Sequence, residues 1–71
     1  MIHEYDIETR SPDEKWHRTN WGGSERDVVL QRAMRILATW RKEQDNPRNV
    51  GFYRTGVRVV YNDEVLWEAT I

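Results

Sequence analysis

The chain contains no cysteine, and its 71 residues include only two prolines and four glycines. The lack of cysteine excludes disulfide bonds and thiolate chemistry and is compatible with a reducing compartment. No segment approaches the ~20 apolar residues of a membrane-spanning helix, and Met1–Arg10 lacks the apolar stretch of a secretory signal. The sequence therefore predicts a cytoplasmic protein without a membrane partner, folded as a single small domain over residues 1–71.

Residue types that carry catalysis are also scarce. Histidine occurs twice, as His3 and His17, and neither lies in a recognisable arrangement with a serine or cysteine nucleophile. There is no HExxH motif, cysteine–histidine cluster or calcium-loop pattern, and Gly22–Gly23 lacks the rest of a phosphate-binding motif. The carboxylates alternate along the first strand or occur in pairs at turns, which is typical of solvated, cross-strand-paired side chains. We therefore predict a non-enzymatic protein with no catalytic, cofactor-binding or metal-binding residues.

The charged residues are distributed unevenly, although the net charge is only −1. Residues 1–14 contain five acids and one base, residues 15–44 seven bases and three acids, and residues 45–71 three bases and four acids. These segments carry −4, +4 and −1, so the chain is polarised along its length. The total charge provides no general attraction to nucleic acid.

The first third of the chain predicts a β-hairpin. Tyr5, Ile7 and Thr9 alternate with acidic residues, which is the pattern of a half-buried strand, and a turn at Ser11–Glu14 leads into a second strand over Lys15–Trp21. Pairing Arg10 with Lys15 sets Thr9 opposite Trp16, Glu8 opposite His17 and Ile7 opposite Arg18, and so places Trp16 on the apolar face. Trp21 has the opposite parity. It lies either at the edge of the core, if the glycine pair resets the alternation, or on the other face of the sheet.

A helix is the strongest prediction. Ser24 and Asp27 have the spacing of a capping box, and the helix is expected to run to about Gln44, before Pro47. Its apolar positions recur at three- and four-residue spacing: Val29, Leu30, Ala33, Met34, Ile36, Leu37 and Trp40.

The last third predicts a second hairpin. A two-residue loop at Asn62–Asp63 is one alternative, but a three-residue loop at Asn62–Glu64 matches apolar and charged residues better. The longer loop pairs Tyr61 with Val65, Val60 with Leu66, Val59 with Trp67, Arg58 with Glu68 and Val57 with Ala69. The complete order, ββαββ, predicts an α+β fold: a four-stranded, mainly antiparallel sheet with one helix on one face. Trp40 and Trp67 are then expected to be buried between helix and sheet, while the strand order stays open.

Two surfaces are candidates for binding a partner. The helix carries bases opposite its apolar stripe; a solvated face is the ordinary interpretation, and a patch for phosphates or carboxylates is the alternative. The uncovered sheet face is expected to expose an apolar patch, which on a small domain is typical of a protein interface. Together these surfaces comprise Trp21, Arg32, Arg35, Lys42, Arg58, Val60 and Leu66.

In its layout the chain resembles the small proteins encoded by phages and mobile elements, including anti-CRISPR proteins. The residues that carry the resemblance are the helix Ser24–Trp40 and the terminal hairpin Gly56–Ile71. The resemblance implies a non-enzymatic inhibitor that binds a protein partner and occludes a surface of a larger bacterial complex, such as a CRISPR effector. It transfers no site residue.

Tyr5–Leu37 is also similar in element order to the arm-type DNA-binding domains of phage integrases, which implies a nucleic-acid-binding domain. Those domains use a basic sheet, whereas the first strand here carries Glu4, Asp6 and Glu8, so nucleic acid would have to bind the basic helix face. A structural or homodimeric subunit is the third alternative.

Overall fold

A computed structural model describes residues 4–43 and 54–70. Within these ranges one helix packs on a four-stranded antiparallel sheet of order β2-β1-β3-β4, which confirms the predicted α+β fold class. The elements are β1 (Tyr5–Arg10), β2 (Trp16–Arg18), α1 (Arg26–Glu43), β3 (Gly56–Tyr61) and β4 (Glu64–Thr70). The expected helix end at Gln44 and the stop at Pro47 lie outside the described residues.

The core lies where α1 crosses the two central strands. Alternate residues of β1 and β3 face the helix, and residues four apart along α1 face the sheet, so two local periodicities meet in one apolar layer. Its buried members are Ile7, Val29, Ala33, Leu37, Val57 and Val59. The alternation predicted for the first strand is confirmed, because Ile7 and Thr9 are buried and Tyr5 packs against the core.

Two expectations are wrong: that Ser24 caps the helix, and that Trp40 and Trp67 are buried. The first intrahelical bond joins the amide of Val29 to the carbonyl of Glu25, so Glu25 rather than Ser24 precedes the first turn. Trp40 and Trp67 are each only half-buried. Trp67 packs against the core, but the core is too small to enclose an indole, and Trp40 lies beyond it.

The first hairpin is shifted by one residue from the predicted register. Arg10 pairs with Trp16, Thr9 with His17 and Glu8 with Arg18, and β2 is only three residues long. The Ser11 amide donates to the Lys15 carbonyl at 2.9 Å, and Glu14 has a φ of 68°, so the loop contains three residues and ends in a left-handed conformation. Because side chains alternate, this shift moves Trp16 to the open face of the sheet.

Trp16 covers a glycine on that open face. Gly56 is the cross-strand partner of Arg10, and a Cβ added to Gly56 would lie 3.1 Å from Cη2 of Trp16 and 3.2 Å from the Ala69 carbonyl oxygen. The indole therefore fills the space that a side chain at Gly56 would otherwise occupy.

Replacing Gly56 with alanine should destabilise the fold by about 1–2 kcal/mol, because neither the indole nor the Ala69 backbone can retreat without strain. Gly23→Ala is the matched control: its Cβ would meet only Cγ2 of Val29, at an ordinary 3.5 Å, so its stability should stay within about 0.5 kcal/mol of the parent. Thermal melting of both variants measures the difference. Equal melting temperatures would show that Trp16 does not rest on Gly56.

The second hairpin combines features of both predicted registers. Val57–Ala69, Arg58–Glu68 and Val59–Trp67 pair as predicted. The loop, however, is the two-residue Asn62–Asp63, with φ values of 52° and 67°, as in a type I′ turn. Val60 consequently pairs with Val65 and Tyr61 with Glu64, so the three-residue loop is wrong for these positions. A β-bulge between the two registers leaves Leu66 opposite no single residue of β3.

Candidate protein-binding site

The chain between β2 and α1 folds back along β1. The Thr19 amide donates to the Ile7 carbonyl at 3.0 Å, and Tyr5 and Gly23 exchange backbone hydrogen bonds of 2.9 and 3.0 Å. From α1, Nη1 of Arg32 donates to the carbonyls of Trp21, at 2.6 Å, and Gly22, at 3.3 Å. These bonds fasten the segment that carries Trp21 to the helix.

Trp21 therefore lies beside the helix and not on the open sheet face with Val60 and Leu66. Of the two positions left open by the sequence, the other face of the sheet is excluded; Trp21 lies on the helix side, but it is 43% exposed and is not among the residues packed against the core. Trp16 and Trp21 occupy opposite sides of the sheet, but in the reverse of the expected arrangement. The shifted register of the first hairpin places Trp16, whereas Trp21 follows β2 in the segment that hydrogen bonds hold to β1 and α1.

Trp21 forms one wall of a cleft on the flank of α1. The cleft has a volume of about 340 Å³ and is lined by Trp21, Arg32, Arg35, Ile36, Thr39 and Trp40. We call it the tryptophan cleft. Its walls are two indoles and an isoleucine side chain, and its charged lining residues are two arginines. None of the described residues that line it is acidic.

The two arginines of the cleft differ in how they are held. The guanidinium of Arg32 is anchored by its bonds to the Trp21 segment, and only one of its nitrogens makes them. An arginine has five N–H donors, so the remaining ones can bind a carboxylate. Arg35 lies about one turn further along the helix and is exposed. The cleft thus joins two exposed cations, one of them hydrogen-bonded to the Trp21 segment, to an apolar surface.

Arg58, by contrast, is committed to the fold. Both Nε and an Nη nitrogen lie 2.6 Å from Oε1 of Glu8, and its guanidinium carbon lies 4.3 Å from the centre of the Trp16 ring. Arg10 approaches the same ring at 5.6 Å. Although Arg58 was predicted as a partner-binding residue, its charge is already paired and stacked within the sheet.

The remaining predicted site residues do not come together. Val60 lines a groove of about 460 Å³ on the open sheet face, whose acidic residues are Glu4, Asp6, Glu8 and Asp63. In this groove Arg18 lies 3.6 Å from Asp6, whose other carboxylate oxygen is buried without a hydrogen-bond partner among the described residues. Leu66 is exposed at the bulge of β4, and Lys42 is exposed on α1 outside the cleft.

A serine does approach a histidine, contrary to the sequence-based expectation. Oγ of Ser11 lies 3.0 Å from Nε2 of His17 and also contacts the carboxylate of Asp13. In a hydrolytic triad the carboxylate orients the histidine, whereas here Asp13 contacts the serine itself. Hydrogen bonds from the Ser11 hydroxyl and the Lys15 amide lower the pKa of Asp13 below its usual value. These hydrogen bonds link residues of an exposed turn. Ser11 and His17 are close because they lie on the two strands of the same hairpin.

Further observations bear on metals, membranes and relatives. In residues 4–43 and 54–70, no group of histidine and carboxylate side chains is placed to hold a metal ion. The helix described there lacks the apolar length that a bilayer crossing requires. The chain matches no protein-family model, no curated protein and no solved structure.

Proposed function

We propose that the protein is a non-enzymatic protein-binding module and that the tryptophan cleft is its partner-binding site. The observation that carries the proposal is that three of the predicted partner-binding residues, Trp21, Arg32 and Arg35, line one cleft although two of them come from α1 and one from the preceding segment. Exposed tryptophan and arginine are the residues that most often dominate the energy of protein interfaces.

The biological setting that we propose is that implied by the resemblance to phage accessory proteins. The module would act in the cytoplasm of a host cell and occlude a surface of a bacterial defence complex, such as a CRISPR effector. A chain of 71 residues offers little room for a deep substrate pocket, but it is large enough to cover part of a larger protein.

Affinity capture from a bacterial lysate, with and without nuclease, tests the binding function. The tagged parent is compared with Arg35→Glu and with Lys42→Glu, which makes the same charge change on the same helix outside the cleft. We expect a protein partner that survives nuclease, is lost with Arg35→Glu and is retained with Lys42→Glu. Interface anchors of this kind contribute about 2 kcal/mol or more, or roughly a thirtyfold loss of affinity.

A second pair of variants tests the apolar wall. Trp21→Ser should release the partner, whereas Met34→Ser should retain it, because Met34 is equally exposed on α1 but does not line the cleft. Both variants must melt cooperatively for the comparison to count. Retention by Trp21→Ser, or capture of nucleic acid alone, would contradict the proposal.

The defence-complex assignment has its own measurement. Purified CRISPR effectors are assayed for cleavage of target DNA with increasing amounts of the parent protein. Inhibition that reaches completion near an equimolar ratio supports the assignment, and Arg35→Glu should restore cleavage. A stable protein partner together with unaffected cleavage by every effector tested would retain the binding function and reject this setting.

A further inference from the structure

The tryptophan cleft also indicates the chemistry of what it binds. Resting on the proposed function, we infer that the cleft takes one aromatic or large aliphatic side chain from an acidic segment of the partner protein. The apolar side chain enters between the two indoles, and carboxylates on neighbouring residues of the same segment bind Arg32 and Arg35.

The size and lining of the cleft support a single apolar anchor. Its volume of about 340 Å³ lies at the lower end of the ~300–1,000 Å³ that ligand pockets span, so it suits one or two side chains rather than a whole helix. Trp21, Ile36 and Trp40 present apolar surface, and Thr39 is the one uncharged polar residue among the described residues that line it. An anchor without polar atoms can be buried there without leaving a hydrogen bond unsatisfied.

Charge decides the character of the residues around the anchor. Arg32 and Arg35 are one helical turn apart, so they lie on the same flank of α1 and can bind two carboxylates that flank one anchor. The fixed guanidinium of Arg32 has lost part of its freedom before binding, which lowers the entropic cost of an ion pair there. A basic segment would meet two cations there, with no acidic residue among the described lining residues.

A protein segment fits these features better than a nucleic acid. Bases stack on tryptophan, and the two arginines carry N–H donors, but reading a base edge also uses acceptors, and among the described lining residues only the Thr39 side chain supplies one. Nucleic-acid affinity further depends on neutralising a run of phosphates. Outside the two arginines, the protein has a net negative charge and an acidic groove on its open sheet face.

Three synthetic peptides provide the test: acetylated and amidated EEFEE, its lysine counterpart KKFKK, and EEAEE, which lacks the anchor. Each is titrated into the ¹⁵N-labelled full chain while the backbone amide and indole N–H resonances are followed. We expect EEFEE to shift the indole signals of Trp21 and Trp40 saturably. EEAEE and KKFKK should bind at least about tenfold more weakly, as should EEFEE with the Arg35→Glu variant.

Other results would overturn the inference. These are equal binding of KKFKK, shifts confined to Asp6 and Glu8 in the sheet groove, no binding of EEFEE, or tighter binding of a ten-residue oligothymidylate to the same indoles. The proposed function is tested separately, by capture from lysate. A partner captured from lysate through Trp21 and Arg35, combined with no binding of EEFEE, would reject the acidic anchor and leave the binding function standing.

Discussion

Replacing Ile7 with alanine is expected to remove most of the stability of the fold. Ile7 is fully buried on the central strand β1, beneath α1, where it belongs to a core of only six buried apolar residues among those described. Such a truncation typically costs about 2–5 kcal/mol because the surrounding side chains close the cavity only partly. A single small core rarely supplies more than about 3–5 kcal/mol in total. The variant should therefore be largely unfolded, or melt more than about 10 °C below the parent.

Val65→Ala is the control for this prediction. Val65 is an apolar strand residue of the same sheet, but it is 45% exposed, so its truncation should change the stability by no more than about 0.5 kcal/mol. Urea denaturation followed by circular dichroism measures both variants. An Ile7→Ala protein as stable as Val65→Ala would mean that the helix does not rest on β1.

Replacing Arg58 with methionine is expected to have the second-largest effect, a loss of about 2–3 kcal/mol. Methionine keeps much of the apolar stem but removes the charge, so the carboxylate of Glu8 is left without its cation and the Trp16 ring without its guanidinium. Breaking a fully buried pair costs about 3–5 kcal/mol. The side chains of Arg58 and Glu8 retain 23% and 16% exposure, so solvent lowers the expected figure.

A double variant separates the ion pair from general packing. Removing both charges, as Glu8→Leu with Arg58→Met, should recover at least about 1 kcal/mol relative to Arg58→Met alone, because no unpaired carboxylate remains. Glu68→Gln serves as the matched control: Glu68 is the cross-strand neighbour of Arg58 on the other side but is exposed, so its change should be nearly neutral. The Glu8→Leu single variant completes the comparison. If the double variant loses as much stability as Glu8→Leu and Arg58→Met lose in total, the two side chains have no coupling energy.

The ion pairs of the open sheet face also bear on which surface is available for a partner. Arg58 pairs with Glu8, and Arg18 lies 3.6 Å from Asp6 across neighbouring strands, although one Asp6 oxygen has no hydrogen-bond partner among the described residues. Trp16 covers part of the same face. Charges already paired inside a fold offer little to an incoming protein, because binding would have to break one favourable contact to form another. The arginines of the tryptophan cleft have no acidic residue among the described lining residues, and only one nitrogen of Arg32 is used in its bonds to the Trp21 and Gly22 carbonyls. It is therefore the surface on which we place the binding function.

Local periodicity accounts for the parts of this protein that its sequence determined. Three- and four-residue spacing specifies α1, and alternation specifies β1, because each pattern has one arrangement that buries its apolar residues. The same reasoning placed Val57 and Val59 opposite Ala69 and Trp67 in the second hairpin. The fold class follows from these elements, since the helix and the four strands of the described residues bury their apolar faces by packing together.

Only the tertiary structure decided where the tryptophans lie. The first hairpin depends on a left-handed conformation at Glu14, which cannot be predicted from the sequence because glutamate seldom adopts it. A register shift of one residue then exchanges the two faces of β2. The type I′ turn at Asn62–Asp63 was offset by a bulge, so neither loop length alone predicted every pair. The cleft then arose because backbone hydrogen bonds to Ile7 and Tyr5 return the chain to the helix. The apolar walls of the cleft therefore combine Trp21 with Ile36 and Trp40 of the helix. A linear pattern cannot specify such a meeting, because it depends on hydrogen bonds formed between segments distant along the chain.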